Sequence, residues 1–348
     1  MKILLRRISD LALTHSSLVF LACILIYFGV QVPAFLSLES LGNIVKQASF
    51  IGVAALGMTL VLMTAGIDLS VGAVMFLAPL VAGMAMKHFG LPVPVGFAIA
   101  VLTGALLGLI NAFFIVKLRV VPFIVTLATM FLFRGFGIWL TSSTQFDFSE
   151  DMRRFGLSSV VGIPTPIVIF AVVAVLIFIM LNHTQFGRQI YALGNDREAA
   201  RKAGLRTTRI EAGVYIISAA CAAISGFVMI AQIGRLDAGF GEGREFDVIA
   251  AAILGGASFF GGVGTAFGAV LGAILIQAAT LGLVFTGVNL YLQPVVLGAV
   301  IFLAVFADGI RSRRLTNKLK RTIRPKGSGR LVGSDVEATH AFTSTRRR

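Results

Sequence analysis

The sequence predicts an all-α polytopic membrane protein with about ten transmembrane helices. Three observations carry that expectation. Apolar residues make up 57% of the 348 positions and charged residues 13%, against roughly 45–50% and 25% in soluble domains; mean hydropathy is +0.92. The apolar residues gather in runs of about 20, enough for a helix to cross a ~30 Å hydrocarbon core. The basic residues are confined to a few segments between or beyond those runs. A soluble enzyme and a disordered chain are both excluded.

The first run, 13–32, follows Lys2, Arg6 and Arg7. Tyr27, Phe28 and Gln31 are too large for a signal-peptidase site, so the run is expected to stay as a span. The second and third, 42–64 and 69–86, are parted by Thr64-Ala-Gly-Ile-Asp68. The fourth and fifth, 93–116 and 123–141, flank a short turn with Lys117 and Arg119. The sixth, 164–182, and seventh, 210–231, enclose the polar segment 183–209. The eighth, 246–260, is the weakest: Val248 to Phe260 is 13 residues, about 20 Å of helix, which suits a half-helix or a re-entrant segment. The ninth and tenth, 264–285 and 290–307, complete a membrane domain over 1–310. Residues 311–348 form a basic Gly/Ser-containing tail whose composition favours disorder.

Charge gives the orientation. Net charges of +2 over 1–10, +4 over 183–209 and +10 over 311–348 together exceed the whole-chain +14, so the remainder nets −2. With ten spans these segments and the 117–121 turn all fall on one side, the cytoplasmic side by the positive-inside rule. Both termini are then cytoplasmic. The basic excess reads as topology, with the tail drawn to anionic lipid. Phe342 is the tail's only aromatic, so nucleic-acid binding through stacked bases is not indicated.

Several chemistries are excluded. Cys23 and Cys221 lie inside apolar runs, and the four histidines are scattered without metal-ligand spacing. No Gly-Lys-Ser/Thr phosphate loop exists, so the chain binds no ATP in that manner. No ladder of Asp, Glu or His runs through the spans, which weighs against a proton-driven carrier.

Glycine, 38 of 348 residues, is concentrated in spans and turns. Gly264, Gly268 and Gly272 share one helix face and allow backbones to approach closely. Two Gly-interrupted segments, Thr64–Val74 and Gly255–Val270, each end one apolar run and open another at a residue able to cap it. Such interruptions at matching places in two halves point to a transport site. The translocation-path candidates are Asn43, Gln47, Thr64, Asp68, Ser70, Asn111, Thr126, Arg134 and Ser258. Thr129, Gln277 and Gln293 are further polar residues within spans. Asp68, an acid embedded in apolar sequence, is either a substrate contact or a carboxylate stabilising the positive end of the third span. Arg134, a cation within a span, needs a partner.

Within 183–209, Asn195 or Asp196 is placed to cap a helix of about eight residues. Glu198 suits its positive end, Arg201 and Lys202 its negative end, and Gly204 its stop. Such a helix either docks in a groove on another protein or is a solvated turn.

The run Gly194-Asn195-Asp196-Arg-Glu198-Ala199-Ala200-Arg-Lys-Ala-Gly204 resembles the EAA-type coupling loop of ABC importer permeases. Gly66–Gly72, Val121–Leu127 and Arg244–Gly256 resemble the ribose/xylose-type sugar branch of that family, in the same order over roughly 40–310. The resemblance implies a permease subunit with two pseudo-repeated halves and the ten-helix fold of vitamin B12-type importers. It implies a homodimer or a pairing with a related permease, a cytoplasmic ABC ATPase and a periplasmic substrate-binding protein. The solute would be a sugar or sugar-like molecule. ATP and Mg would reside on the ATPase and no cofactor on this chain, with Gly194, Asn195, Asp196, Glu198, Ala199, Ala200 and Gly204 as the ATPase-coupling residues. The alternatives are a branched-chain amino acid permease of the same superfamily and an ATPase-independent secondary transporter.

Overall fold

The structure is a computed structural model and describes residues 16–289, 291–296, 298, 299, 302 and 306. By contact the chain divides into residues 1–302 and 303–348; the description below is of the first unit, and of the second only Phe306 is described. The expected tail, 311–348, and most of the expected tenth span lie outside the described residues.

Helix α1 (Ser16–Gln31) is followed by a 3-10 turn, Pro33–Leu36. Ser37 then caps α2 (Leu38–Met63), its hydroxyl accepting the Ser40 N–H at 3.2 Å. α3 (Val71–Phe89) ends at Gly90, whose φ of +63° suits a helix terminus. α4 (Val93–Ala112) runs into a π-turn at Phe113–Lys117, and α5 (Pro122–Thr141) opens with proline in its first turn, where no N–H partner is lost. The segment after α5 holds strand β1 (Phe146–Asp147), helix α6 (Glu150–Leu157) and the hairpin β2 (Ser159–Val160) to β3 (Ile163–Pro164). α7 (Thr165–His183), α8 (Gln185–Asn195), α9 (Arg197–Lys202) and α10 (Thr207–Ile233) follow. Strand β4 (Arg235–Leu236) pairs antiparallel with β1, Phe146 opposite Leu236. α11 (Arg244–Leu254) and α12 (Ala266–Phe285) complete the described helices.

Seven of these, α2, α3, α4 with its π-turn, α5, α7, α10 and α12, are long and apolar enough to cross a membrane. The protein is an all-α polytopic membrane protein, but ten such spans are not what the described residues show. α1 is described over 16 residues, and α11 has 11, about 16 Å of helix. The expected eighth span is thus a short helix followed by the turn 255–265. The glycines there leave no room for a longer one, because α11 ends where the chain must fold back onto α12.

α2, α3 and α10 form the centre and are buried over most of their length; α4, α5 and α7 flank them with much of their surface exposed. The exposed faces remain apolar, with Leu102, Leu106, Phe131, Leu132, Val172 and Leu176 outward. That pattern suits lipid and not water. Close packing rests on small residues. A Cβ on Gly104 or Gly108 of α4 would lie 2.7 Å from the Ala219 carbonyl oxygen or 2.6 Å from that of Tyr215, so α4 meets α10 backbone to backbone. The Gly268–Gly272 stripe of α12 does the same against α11, facing the carbonyls of Gly255 and Ala251.

Candidate functional site

Three places hold most of the residues singled out in the sequence. The first is the corner between α2 and α3. Asp68, fully buried, accepts from the Ser70 amide at 3.0 Å and the Ser70 hydroxyl at 2.6 Å through Oδ1, and from Ser218 of α10 at 3.3 Å through Oδ2. Asn111 of α4 donates to Ser70 Oγ at 2.8 Å, and Thr129 of α5 donates to Asn111 Oδ1 at 2.7 Å. Thr126 donates to the Ile67 carbonyl at 3.2 Å. Asp68, Ser70, Asn111, Thr129 and Ser218 therefore form one buried network that ties α3, α4, α5 and α10 to a single turn, and Thr126 braces the same turn through the Ile67 carbonyl. Ser70 is the N-terminal boundary residue of α3, so the carboxylate sits at the positive end of that helix. In this turn between spans, burial pushes the Asp68 carboxyl up, and the bonds from Ser70 and Ser218 pull it back down. Thr64 closes the end of α2, donating to the Val61 carbonyl.

The second place is the 183–209 segment, which folds as two helices. α8 is capped by Thr184, which accepts from the Gly187 amide at 3.1 Å. Asp196 caps α9, its Oδ1 accepting from the amides of Glu198 and Ala199 at 2.9 Å each. Glu198 and Lys202 pair at 3.1 Å across one turn. Gly204, with φ +82°, ends the helix as expected from its freedom in the left-handed region. α9 is six residues, shorter than the expected eight. Asn195–Ala199 and Arg201–Gly204 are exposed, whereas Ala200 is buried beneath them. Arg197 grips the buried Glu211 of α10 with two bonds of 2.7 and 2.6 Å, the bidentate geometry that gives a planar guanidinium its directional hold.

The α8–α9 junction rests on both Gly-interrupted corners. A Cβ on Gly194 would lie 1.8 Å from the Met63 carbonyl oxygen and 2.5 Å from the Gly262 amide nitrogen. Gly262 N–H donates to the same Met63 carbonyl at 2.9 Å, and Tyr191 Oη donates to the Gly264 carbonyl at 2.8 Å. Burial raises the Tyr191 phenol, which keeps it a donor. Ser258 lies in the same corner and accepts from the Phe260 amide at 3.2 Å. Three chain segments thus meet through bare backbone at one end of the bundle.

The third place is a cavity of about 340 Å³ toward the other ends of α2 and α12, lined by Asn43, Gln47, Arg244, Asp247, Gln277 and Thr280 over a floor that includes Phe50 and Met75. Asn43 and Gln47 are brought together here and stand apart from the Asp68 network. Arg134 belongs to neither: it donates to the carbonyls of Ala238 and Phe240 at 3.0 and 3.3 Å and lies 5.6 Å from the Phe76 ring. The sequence reading missed Ser218, Glu211 and Met63 as members of these sites. Ser218 and Met63 sit in apolar runs with no distinguishing pattern, and Arg244 and Asp247 enter the sequence reading only within the Arg244–Gly256 run that resembles the sugar branch. Gln277 was visible as a polar residue within a span.

Residues 40–305 match the family described as "Branched-chain amino acid transport system / permease component". Among curated relatives, the ribose import permease protein of Escherichia coli (strain K12) is 36% identical over 84% of this chain and 93% of its own length. The D-allose transport system permease protein of the same organism is 35% identical over 84% and 90%. The ribose import permease protein of Bacillus subtilis (strain 168) is 35% identical over 80% and 88%. No solved structure matches. With the family spanning three-quarters of the sequence and these relatives covered almost end to end, the chain belongs to the permease components of ABC importers, in their ribose/xylose branch.

Proposed function

We propose that this chain is the membrane-spanning subunit of an ATP-driven importer for a sugar or sugar-like solute. It works as a dimer with itself or a related permease, beside a cytoplasmic ABC ATPase and a periplasmic substrate-binding protein. The exposed α9 is the ATPase-docking element, with Gly194, Asn195, Asp196, Glu198, Ala199, Ala200 and Gly204 as its coupling residues. Both termini are cytoplasmic, and the full set of spans is the ten of the vitamin B12-type arrangement, with residues 311–348 as a cytoplasmic tail. Asn43, Gln47, Thr64, Asp68, Ser70, Asn111, Thr126, Arg134 and Ser258 line or brace the route of the solute. ATP and Mg bind the partner subunit and none is needed here.

One observation carries the coupling reading. α9 presents an exposed face while the residues around it are fixed to the ends of α2, α10 and α12 by backbone contact and a bidentate ion pair. A push at the α8–α9 junction therefore reaches the end of α2 and the turn before α12 through backbone contact, and α10 through a two-point ion pair. Glu198 tests this cleanly, because among the described residues its side chain pairs with the exposed Lys202, and an exposed pair of this kind contributes ~0.3–0.5 kcal/mol. Glu198→Arg should leave the protein inserted and folded, while ATPase retention on the purified permease and solute uptake both fall at least ~10-fold, about 1.4 kcal/mol of docking free energy. Retention at the wild-type level would remove α9 as the docking element.

A branched-chain amino acid permease is the second reading, favoured by the family's description. The relatives at 35–36% identity are named for ribose and allose, which supports the sugar reading over it.

A further inference from the structure

The cavity between α2, α11 and α12 has a composition that the docking reading leaves unused. Its volume of about 340 Å³ lies within the ~300–1,000 Å³ typical of small-molecule sites. Asn43 and Gln47 are four residues apart and share one face of α2; Gln277 and Thr280, three apart, share one face of α12. Among the described residues, none of the three amides is engaged by another protein group. Each carries both donors and an acceptor, the combination a hydroxyl needs, since a hydroxyl also gives and accepts. Thr280 spends its proton on the Ile276 carbonyl at 2.9 Å and so is left as an acceptor.

The cavity's charges close on each other. Arg244 Nη1 bonds Asp247 Oδ2 at 3.0 Å, and they are the charged members of the lining. The pair leaves the lining without net charge, so a carboxylate or an ammonium group gains a full counter-charge there only by breaking it. A free amino acid brings both ions. A neutral polyol brings neither, and its hydroxyls meet the amides while its C–H faces meet Phe50 and Met75.

We propose that this cavity is a binding site inside the permease for a neutral polyhydroxylated solute, with the amides of Asn43, Gln47 and Gln277 as its hydrogen-bonding groups. The proposal rests on the transporter reading above, and adds to it that the permease itself, and not only a delivering protein, holds the solute on its way.

The test uses the full chain in lipid nanodiscs with Cys23→Ser and Gln277→Cys, and a positively charged methanethiosulfonate reagent. Position 277 should label, and D-ribose, D-xylose or D-allose should slow the labelling by the factor 1 + [L]/Kd, about threefold at twice its Kd. L-leucine at the same concentration should not slow it. Asn43→Leu in the same background should abolish the protection. Gln47→Cys on the facing helix supplies the same readout should Gln277→Cys disturb folding. An unreactive cysteine at both positions, labelling that no sugar slows, or equal protection by leucine would each overturn the proposal. The readout needs no ATPase, so those failures are distinct from failure of the transporter reading, which shows as wild-type ATPase retention in Glu198→Arg.

Discussion

Adding one methyl group at Gly194 should uncouple the protein without unfolding it. In Gly194→Ala the new Cβ would fall 1.8 Å from the Met63 carbonyl oxygen and 2.5 Å from the Gly262 nitrogen. Both neighbours are backbone, so neither can swing aside as a side chain would. With carbon–oxygen contacts needing a little over 3 Å, the junction must open by more than 1 Å, which breaks the close seat between α8 and the end of α2. Overpacking of this kind costs ~1–3 kcal/mol, well within a typical ~5–15 kcal/mol of stability, so the variant should insert and purify. The same ~1–3 kcal/mol taken from the link between sites corresponds to a 5–150-fold change in coupling. The assay is a proteoliposome holding the permease, its ATPase and its binding protein, reading ATP hydrolysed and solute taken up together. Hydrolysis should persist while solute moved per ATP falls at least ~5-fold. Gly90→Ala, at the end of α3 and outside the coupling segment, is the control: its φ of +63° makes alanine strained there, yet no atom lies within 4 Å of the new methyl, so it should lower local stability and not the ratio. A wild-type ratio in a well-folded Gly194→Ala would refute the idea that force passes through this contact.

Two further substitutions separate bracing from transport chemistry. Asp68→Ala strands the Ser70 amide, the Ser70 hydroxyl and the Ser218 hydroxyl, at ~1–3 kcal/mol for each donor left unsatisfied, and should lower the thermal unfolding midpoint sharply. Asp68→Asn keeps an acceptor for Ser70, offers its NH2 to Ser218 as a donor and removes a buried charge, so its midpoint should stay near wild type; an Asn variant that unfolds like the Ala variant would show that the charge itself holds the turn. Arg197→Ala leaves Glu211, only 4% exposed, without its bidentate partner and should cost ~1–3 kcal/mol, moderated by the exposure of the arginine. Arg197→Lys keeps the charge but not the two-point grip. Its uptake should fall between wild type and Ala, and uptake equal to wild type would assign the contact to charge alone.

The membrane architecture was legible because hydrophobic length is a one-dimensional property: each long span begins and ends within a few residues of where its apolar run does. The loop helix was legible for the same local reason, since Asp196, Glu198, Lys202 and Gly204 act on their near neighbours. What could not be read was pairing between distant segments. Asp68 reads in sequence as either a ligand or a cap, and nothing there brings Ser218 to its carboxylate or Asn111 to Ser70. The two Gly-rich corners looked like a repeated motif, and nothing in either indicated that they meet each other at Gly262 and Met63. α11 was legible as too short for a full span, but a 13-residue apolar run does not reveal that the chain folds back at Gly255.

The cavity and the coupling seat are connected by the same two helices. α2 carries Asn43 and Gln47 toward one end and Met63 at the other; Gln47 and Met63 are 16 residues apart, about 24 Å of unbroken helix. α12 carries Gln277 and Thr280 toward one end, and its other end starts at Thr265, next to Gly264, which accepts from Tyr191 of α8. A helix buried on most sides is close to rigid along its axis, so a displacement of a fraction of a turn at the α8–α9 seat must appear at the amides unless the helix bends. α2 contains no proline, and its approach to the α10 backbone, Gly57 against Ser218, is a packed contact and not a hinge. A proline placed at Ala54, fully buried near the middle of α2, would break the helix between the two ends at a cost of ~3 kcal/mol or more. Because that change also threatens folding, the decisive comparison is with Gly57→Ala, which leaves the helix intact but pushes it from α10. If the axis of α2 transmits the stroke, Gly57→Ala should reduce stability while retaining the solute-to-ATP ratio, the reverse of what Gly194→Ala does. A lost ratio in both would mean the stroke travels through the packing of the whole bundle and not along α2.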